Sequence, residues 1–169
     1  MRLAFLFAAL LAAPAALAQN GPTLCESAEA DGLDFWVGTW DLEWTSASGP
    51  TRGTNVITRE LGECVVHERF SAETGFEGES VSVLTPSGWR QTWVDNSGGY
   101  LLFEGTTDEN DRVLEMRMDG VQTPDGTTQI NRMTWQDVTE SSLTWRWQSS
   151  TDGGTTWRDL WVIRYTRAN

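Results

Sequence analysis

The chain has 169 residues and a formal charge of -12, and all twelve of its basic residues are Arg. That balance argues against nucleic acid or an anionic membrane as partner, since both need a basic face, and the absence of Lys excludes Schiff-base chemistry. One His and two widely separated Cys make neither a zinc set nor a redox pair.

Residues 1–18 read as an export signal. Arg2 supplies the positive end, Leu3 to Leu17 are almost wholly apolar, and Ala16-Leu17-Ala18 is a small-x-small cleavage site before Gln19. The run is shorter than the roughly 20 apolar residues of a spanning helix, and no other stretch approaches that length. Residues 19–169 are therefore expected to form one periplasmic or secreted domain without membrane insertion. Pro22-Thr23-Leu24 lacks the small residue that a lipoprotein site places before its Cys. In an oxidising compartment Cys25 and Cys64 are expected to pair, closing a loop of about 40 residues worth roughly 4 kcal/mol in the chain-entropy model. Ser27 to Asp31 reads as a short helix, with Ser27 as its cap and Gly32 as its stop.

From there on the period is two. Trp40, Leu42 and Trp44 share one face and Asp41 and Glu43 the other; Trp89, Gln91 and Trp93 repeat the pattern, as do Leu143, Trp145 and Trp147. Turn signals recur about every ten residues, from Ser48-Gly49-Pro50 to Gly153-Gly154. They delimit strands at 38–46, 52–61, 63–72, 78–85, 88–95, 99–106, 112–119, 128–137, 141–149 and 156–166. No interval is long enough for a crossover helix, so neighbours pair antiparallel in chain order. The predicted fold is all-β: an up-and-down antiparallel meander of about ten strands closed into a barrel, with a short N-terminal helical segment.

Gly38-Thr39-Trp40 within LDFWVGTWDLEW, residues 33–44, resembles the motif that opens the first strand of calycin (lipocalin-like) barrels. The resemblance implies that Trp40 plugs the closed end beneath an Arg from near the last strand, here Arg164 or Arg167, by cation-π stacking. TWVDNSGGYLLFEG, residues 92–105, and RELGECVVHERF, residues 59–70, are similar to a family of exported bacterial barrels with a domain of unknown function in the same group. That similarity spans most of the mature domain and implies a fold without an activity. Nitrobindin-like members bind haem through a His near the C-terminal end, whereas the lone His67 lies in the third predicted strand, which counts against haem; no other cofactor is expected.

Ser150-Thr151-Asp152-Gly153-Gly154-Thr155-Thr156-Trp157 resembles the Asp-box of sialidases. A single copy in a chain too short for a propeller reads as a hairpin, with the carboxylate accepting turn amides. Asp108-Glu109-Asn110-Asp111 likewise reads as turn chemistry rather than a calcium loop, and no metal site is expected.

Trp36, Trp40 and Trp157 are explained as core. Trp44, Trp93, Trp145 and Trp147 accompany Asn55, Arg59 and Gln91, polar groups that a filled core avoids and a pocket uses to orient a ligand. The leading expectation is an exported barrel holding a small apolar or aromatic ligand against these Trp, with Arg59 and Gln91 at its polar end. The alternative is a cofactor-independent isomerase, cyclase or hydrolase on the same barrel, with His67, Glu68 or Asp95 as catalytic candidates. Alternation leaves open which of two sets faces inward: Val65, His67 and Arg69, or Val66, Glu68 and Phe70. Nothing in the sequence sets the oligomeric state.

Overall fold

The structure, a computed structural model, describes residues 24–106, 114–117 and 120–169. The export segment and the 108–111 turn lie outside the described residues. Two short 3-10 segments, Leu24–Glu26 and Ala28–Trp36, precede β1 (Gly38–Ser46), β2 (Gly49–Glu60), β3 (Val65–Ala72), β4 (Glu77–Thr85), β5 (Gly88–Asp95) and β6 (Tyr100–Thr106). β7 (Leu114–Arg117), β8 (Val121–Gln122), β9 (Thr128–Gln136), β10 (Ser142–Ser150) and β11 (Arg158–Arg167) complete the chain. All pairings are antiparallel. Successive strands pair from β1 to β7, then β7 with β9, β9 with β10, β10 with β11, and β11 back with β1. The strongly curled sheet thus joins its own ends in a ring of ten strands, while the two-residue β8, absent from the sequence reading, only extends the β9 hairpin.

Period two governs the interior. Trp40 and Leu42 of β1, Asn55 and Ile57 of β2, and Val66, Glu68 and Phe70 of β3 are buried, and their alternate neighbours are more exposed. The alternative left open for β3 is decided here: Glu68 faces inward and His67 outward. One bulge breaks the alternation, because Trp147 pairs with Trp161 and Gln148 with Asp159, leaving Leu160 unpaired. Asp159 therefore bonds Arg146 and Gln148 on the outer face although it stands two residues from the inward Trp161.

The N-terminal segment departs from the expected helix. It is 3-10 and runs through Gly32 to Trp36, and the hydroxyl of Ser27 donates back to the Leu24 carbonyl instead of capping. The spacing explains it. Ala30, Leu33 and Trp36 recur every third residue, so a 3-10 turn stacks them on one face, and all three are buried against the end of the barrel. Burying Leu and Trp outweighs the roughly 1 kcal/mol that Gly32 costs a helix.

Four attachments hold this segment down. The Cys25–Cys64 disulfide is formed. Arg59 donates to the carbonyls of Ala30 at 2.6 Å and Glu63 at 3.0 Å and pairs with Asp34. The Trp40 indole donates to the Trp36 carbonyl at 2.7 Å, and Arg167 donates to the carbonyls of Val37 and Phe35. Of the two Arg weighed from the sequence, it is Arg167 whose guanidinium lies over the Trp40 ring, 4.1 Å from its centroid. Gly38 makes this possible: its φ is +137°, and a Cβ there would stand 2.1 Å from the Arg167 guanidinium.

Trp40→Ala should lower stability by about 3 to 5 kcal/mol, read from urea denaturation, because a fully buried ring leaves a cavity that strands cannot close. Thiol labelling of non-reduced protein should find neither Cys25 nor Cys64 free, and reduction should lower stability by about 2 to 4 kcal/mol.

Candidate functional site

The end plugged by Trp40 is closed, and the open space lies towards the other end. A cavity of about 180 Å³ runs from Glu68 and Tyr165 inside the barrel to Phe76 and Asp95 beside the ends of β4 and β5. Its wall is mostly aromatic: Phe70, Phe76, Trp93, Phe103, Trp145, Trp147 and Trp161, with Leu101, Met133 and Ile163 between them. Phe70 is the hub, with ring centroids 5.8 Å from Trp161, 5.9 Å from Phe76, 6.1 Å from Trp44 and 6.2 Å from Trp93. These spacings lie in the range where edge-to-face pairs contribute beyond simple burial. Across the barrel Trp145 packs edge-on against Trp161, and Trp147 against Phe103.

The polar pole is carried by β2, β3, β4 and β11. Glu68 accepts from the Asn55 amide at 2.7 Å and from the Ser80 hydroxyl at 2.6 Å. The same Asn55 amide reaches the Tyr165 hydroxyl at 3.1 Å, and the Asn55 carbonyl oxygen, buried, has no partner. Gln91 lines the cavity nearby and donates to Ser82 at 2.9 Å. Burial pushes the Glu68 carboxyl up from 4.5 to about 7, against the opposing pull of its bonds from Ser80 and Asn55. Burial, and the charge of Glu68, raise the Tyr165 phenol as well.

Asp95 sits at the mouth and does a different job. It accepts from the Trp93 indole at 3.0 Å and from the backbone amides of Ser97 and Gly99, and those bonds, the Trp93 bond foremost, hold its carboxyl below the usual range. The Trp93 ring is fixed from beneath by Gly78, where a Cβ would come within 2.1 Å of it.

Of the residues singled out from the sequence, Gln91, Trp93, Trp145, Trp147, Glu68 and Asp95 meet on this wall. Trp44 does not; it packs behind Phe70 and Trp161. Asn55 stands one layer back and orients Glu68 and Tyr165. Arg59 is on the far side of the closed end, engaged with the 3-10 segment, because its alternate position in β2 has passed the plug. His67 points away from the cavity and meets Glu79 at 3.1 Å on the outer face, so it is not part of this wall. Nor does the site fit haem: no imidazole enters the cavity, and the space is far smaller than a porphyrin needs. Trp157, expected in the core, instead stacks beneath Arg132 just before β11.

Several wall residues were not expected from the sequence. Trp161, Ile163 and Tyr165 alternate in the last strand and were open to the same reasoning as the earlier Trp rows. Phe76 belongs to a turn, where period two carries no information. The Ser150–Trp157 segment is the hairpin expected: Asp152 accepts from the Thr156 hydroxyl and from the Thr155 and Thr156 amides, which bring its carboxyl down to about 2.

No family model matches the chain, and no curated protein matches it. Among solved structures it is similar to a de novo designed fluorescence-activating β-barrel, at 19% identity and a TM-score of 0.42, over 82% of this chain and 98% of that one. A likeness of that size carries no argument about function.

The raised carboxyl has a measurable consequence. A glutamate that ionises near 4.5 when unfolded and near 7 when folded binds its proton more tightly in the native state. Its contribution is present in full below the lower value and is lost as pH rises through the upper one, roughly 3 kcal/mol in all. The parent protein should therefore lose stability between about pH 5 and pH 8 while Glu68→Gln loses much less, as read from paired denaturation curves. Asp95 and Asp152, whose values are lowered, act in the opposite sense and only in more acidic solution.

Proposed function

We propose that this protein is an exported, calycin-type barrel that binds a small apolar or aromatic molecule in the Trp-lined cavity. The observation that carries the reading is the combination of an unfilled aromatic interior with a buried polar pole, Glu68, Tyr165 and Gln91, at one end of it. Its size selects the ligand. An apolar cavity of about 150 Å³ holds benzene, so about 180 Å³ takes one ring with a short substituent. The chemistry is orientation by a few polar groups within an apolar enclosure. The disulfide, and residues 1–18 as a cleaved signal, support the periplasm or the exterior as its compartment.

A second reading rests on one observation, a cavity-lining carboxyl that titrates near 7. Such a group is suited to proton transfer, as in a cofactor-independent isomerase with Glu68 as acid and base. In that case turnover depends on ionised Glu68 and rises with pH through about 7.

Benzyl alcohol, a neutral probe of the right size, should quench Trp fluorescence saturably. Trp93→Ala should weaken its binding several-fold, whereas Trp44→Ala, behind the wall, should leave it unchanged. Absence of saturable quenching by benzyl alcohol and by charged probes of the same size alike would remove the binding reading.

A further inference from the structure

The charge of the cavity wall is one-sided. Two carboxylates, Glu68 inside and Asp95 at the mouth, face the space, and among the described residues no Arg or His lines it. Lys is absent from the whole chain. Among the described residues Arg59 is engaged with Asp34 and the 3-10 carbonyls, Arg146 with Asp159, and Arg167 on Trp40. An anionic ligand would enter a low-dielectric enclosure against like charge, with no counter-charge among the described wall residues.

The remaining wall favours the opposite sign. Aromatic faces present the negative side of their quadrupole, which attracts an ammonium group most strongly where water is excluded. The pole is also rich in acceptors. Each Glu68 oxygen accepts one hydrogen bond and keeps a lone pair, and the Asn55 carbonyl oxygen beside it is unpartnered.

We propose that the molecule this cavity takes is a small organic cation, an arylalkyl-ammonium whose charge is set against Glu68 and whose ring lies among Phe70, Trp93, Trp145 and Trp161. This deepens the binding reading above and rests on it. Among the described residues Glu68 has no cationic partner, and the groups facing it are Asn55 from β2, Ser80 from β4 and Tyr165 from β11. Burial without a counter-charge is what raises its carboxyl to about 7, and an arriving ammonium supplies that counter-charge. Binding then ionises Glu68 and releases its proton to solvent. Asp95, held ionised by the Trp93 indole and the turn amides, adds attraction at the entrance.

Three probes of one size separate the possibilities by Trp-fluorescence titration of the full chain: benzylammonium, benzyl alcohol and benzoate. Benzylammonium is expected to bind at least about tenfold more tightly than the alcohol near pH 8, and benzoate more weakly than either. Glu68→Gln should bring the ammonium-to-alcohol ratio close to one. In the unmutated protein, which tests the same point if the variant does not fold, acidification below the Glu68 range should weaken the ammonium by about tenfold per pH unit and leave the alcohol unaffected. Equal affinities for ammonium and alcohol, or a preference for benzoate, would overturn the cation and leave the binding reading in place. Failure of all three to bind saturably would overturn both.

Discussion

A closed sheet has no edges but two ends, and this barrel depends on how one of them is sealed. The Arg167 guanidinium lies over Trp40 and donates to the carbonyls of Val37, Phe35 and Glu140, tying the last strand, the first strand and the N-terminal segment at a single point. The residues that allow this are small and local: Gly38 leaves room for the guanidinium, and the indole of Trp40 returns a bond to Trp36. Once β11 is registered on β1, with Arg167 opposite Trp40, the positions of all inward side chains on both strands follow from alternation. The open space is thereby confined to the other end.

A carboxylate inside a barrel works against stability unless something offsets its desolvation. Here Asn55 and Ser80 supply two short hydrogen bonds, and their pull still falls short of burial. A barrel selected only for stability would have an apolar residue at position 68, as it has Val66 and Phe70 on either side. The departure from that pattern, at the wall of a cavity, is the costliest inward position of β3. Tyr165 is bound into the same unit through Asn55, so a change of charge at Glu68 is felt by β2, β3, β4 and β11 together.

Alternation made most of the architecture legible. The Trp rows of β1, β5 and β10, the turns between them and the C-terminal Arg were enough to place the ten expected strands within three residues of their observed ends and to anticipate the disulfide. Other features escaped. The N-terminal segment runs past Gly32 because tertiary burial of Leu33 and Trp36 overrides a local stop signal. Arg59 and Asn55 alternate with their neighbours on β2, but Asn55 stands level with the Trp40 plug and Arg59 beyond it, a depth along the barrel axis that period two does not report. Phe76 enters the wall from a turn.

What the sequence by itself determined is therefore the period, the chain order of the strands and the apolar character of one face of each. Those follow from local sterics and from which residues tolerate water. Which face is inward on β3, where Val, His and Arg alternate with Val, Glu and Phe, was decided only by tertiary pairing: Ile57 and Ser80 flank Glu68 in register and carry it to the interior with their own side chains. The bulge at Leu160 was decided in the same way, by the need to keep Trp161 inside while Asp159 meets Arg146 outside. Depth, register and closure depend on neighbours distant in sequence, and through them on the one arrangement in which ten strands pair around a ring.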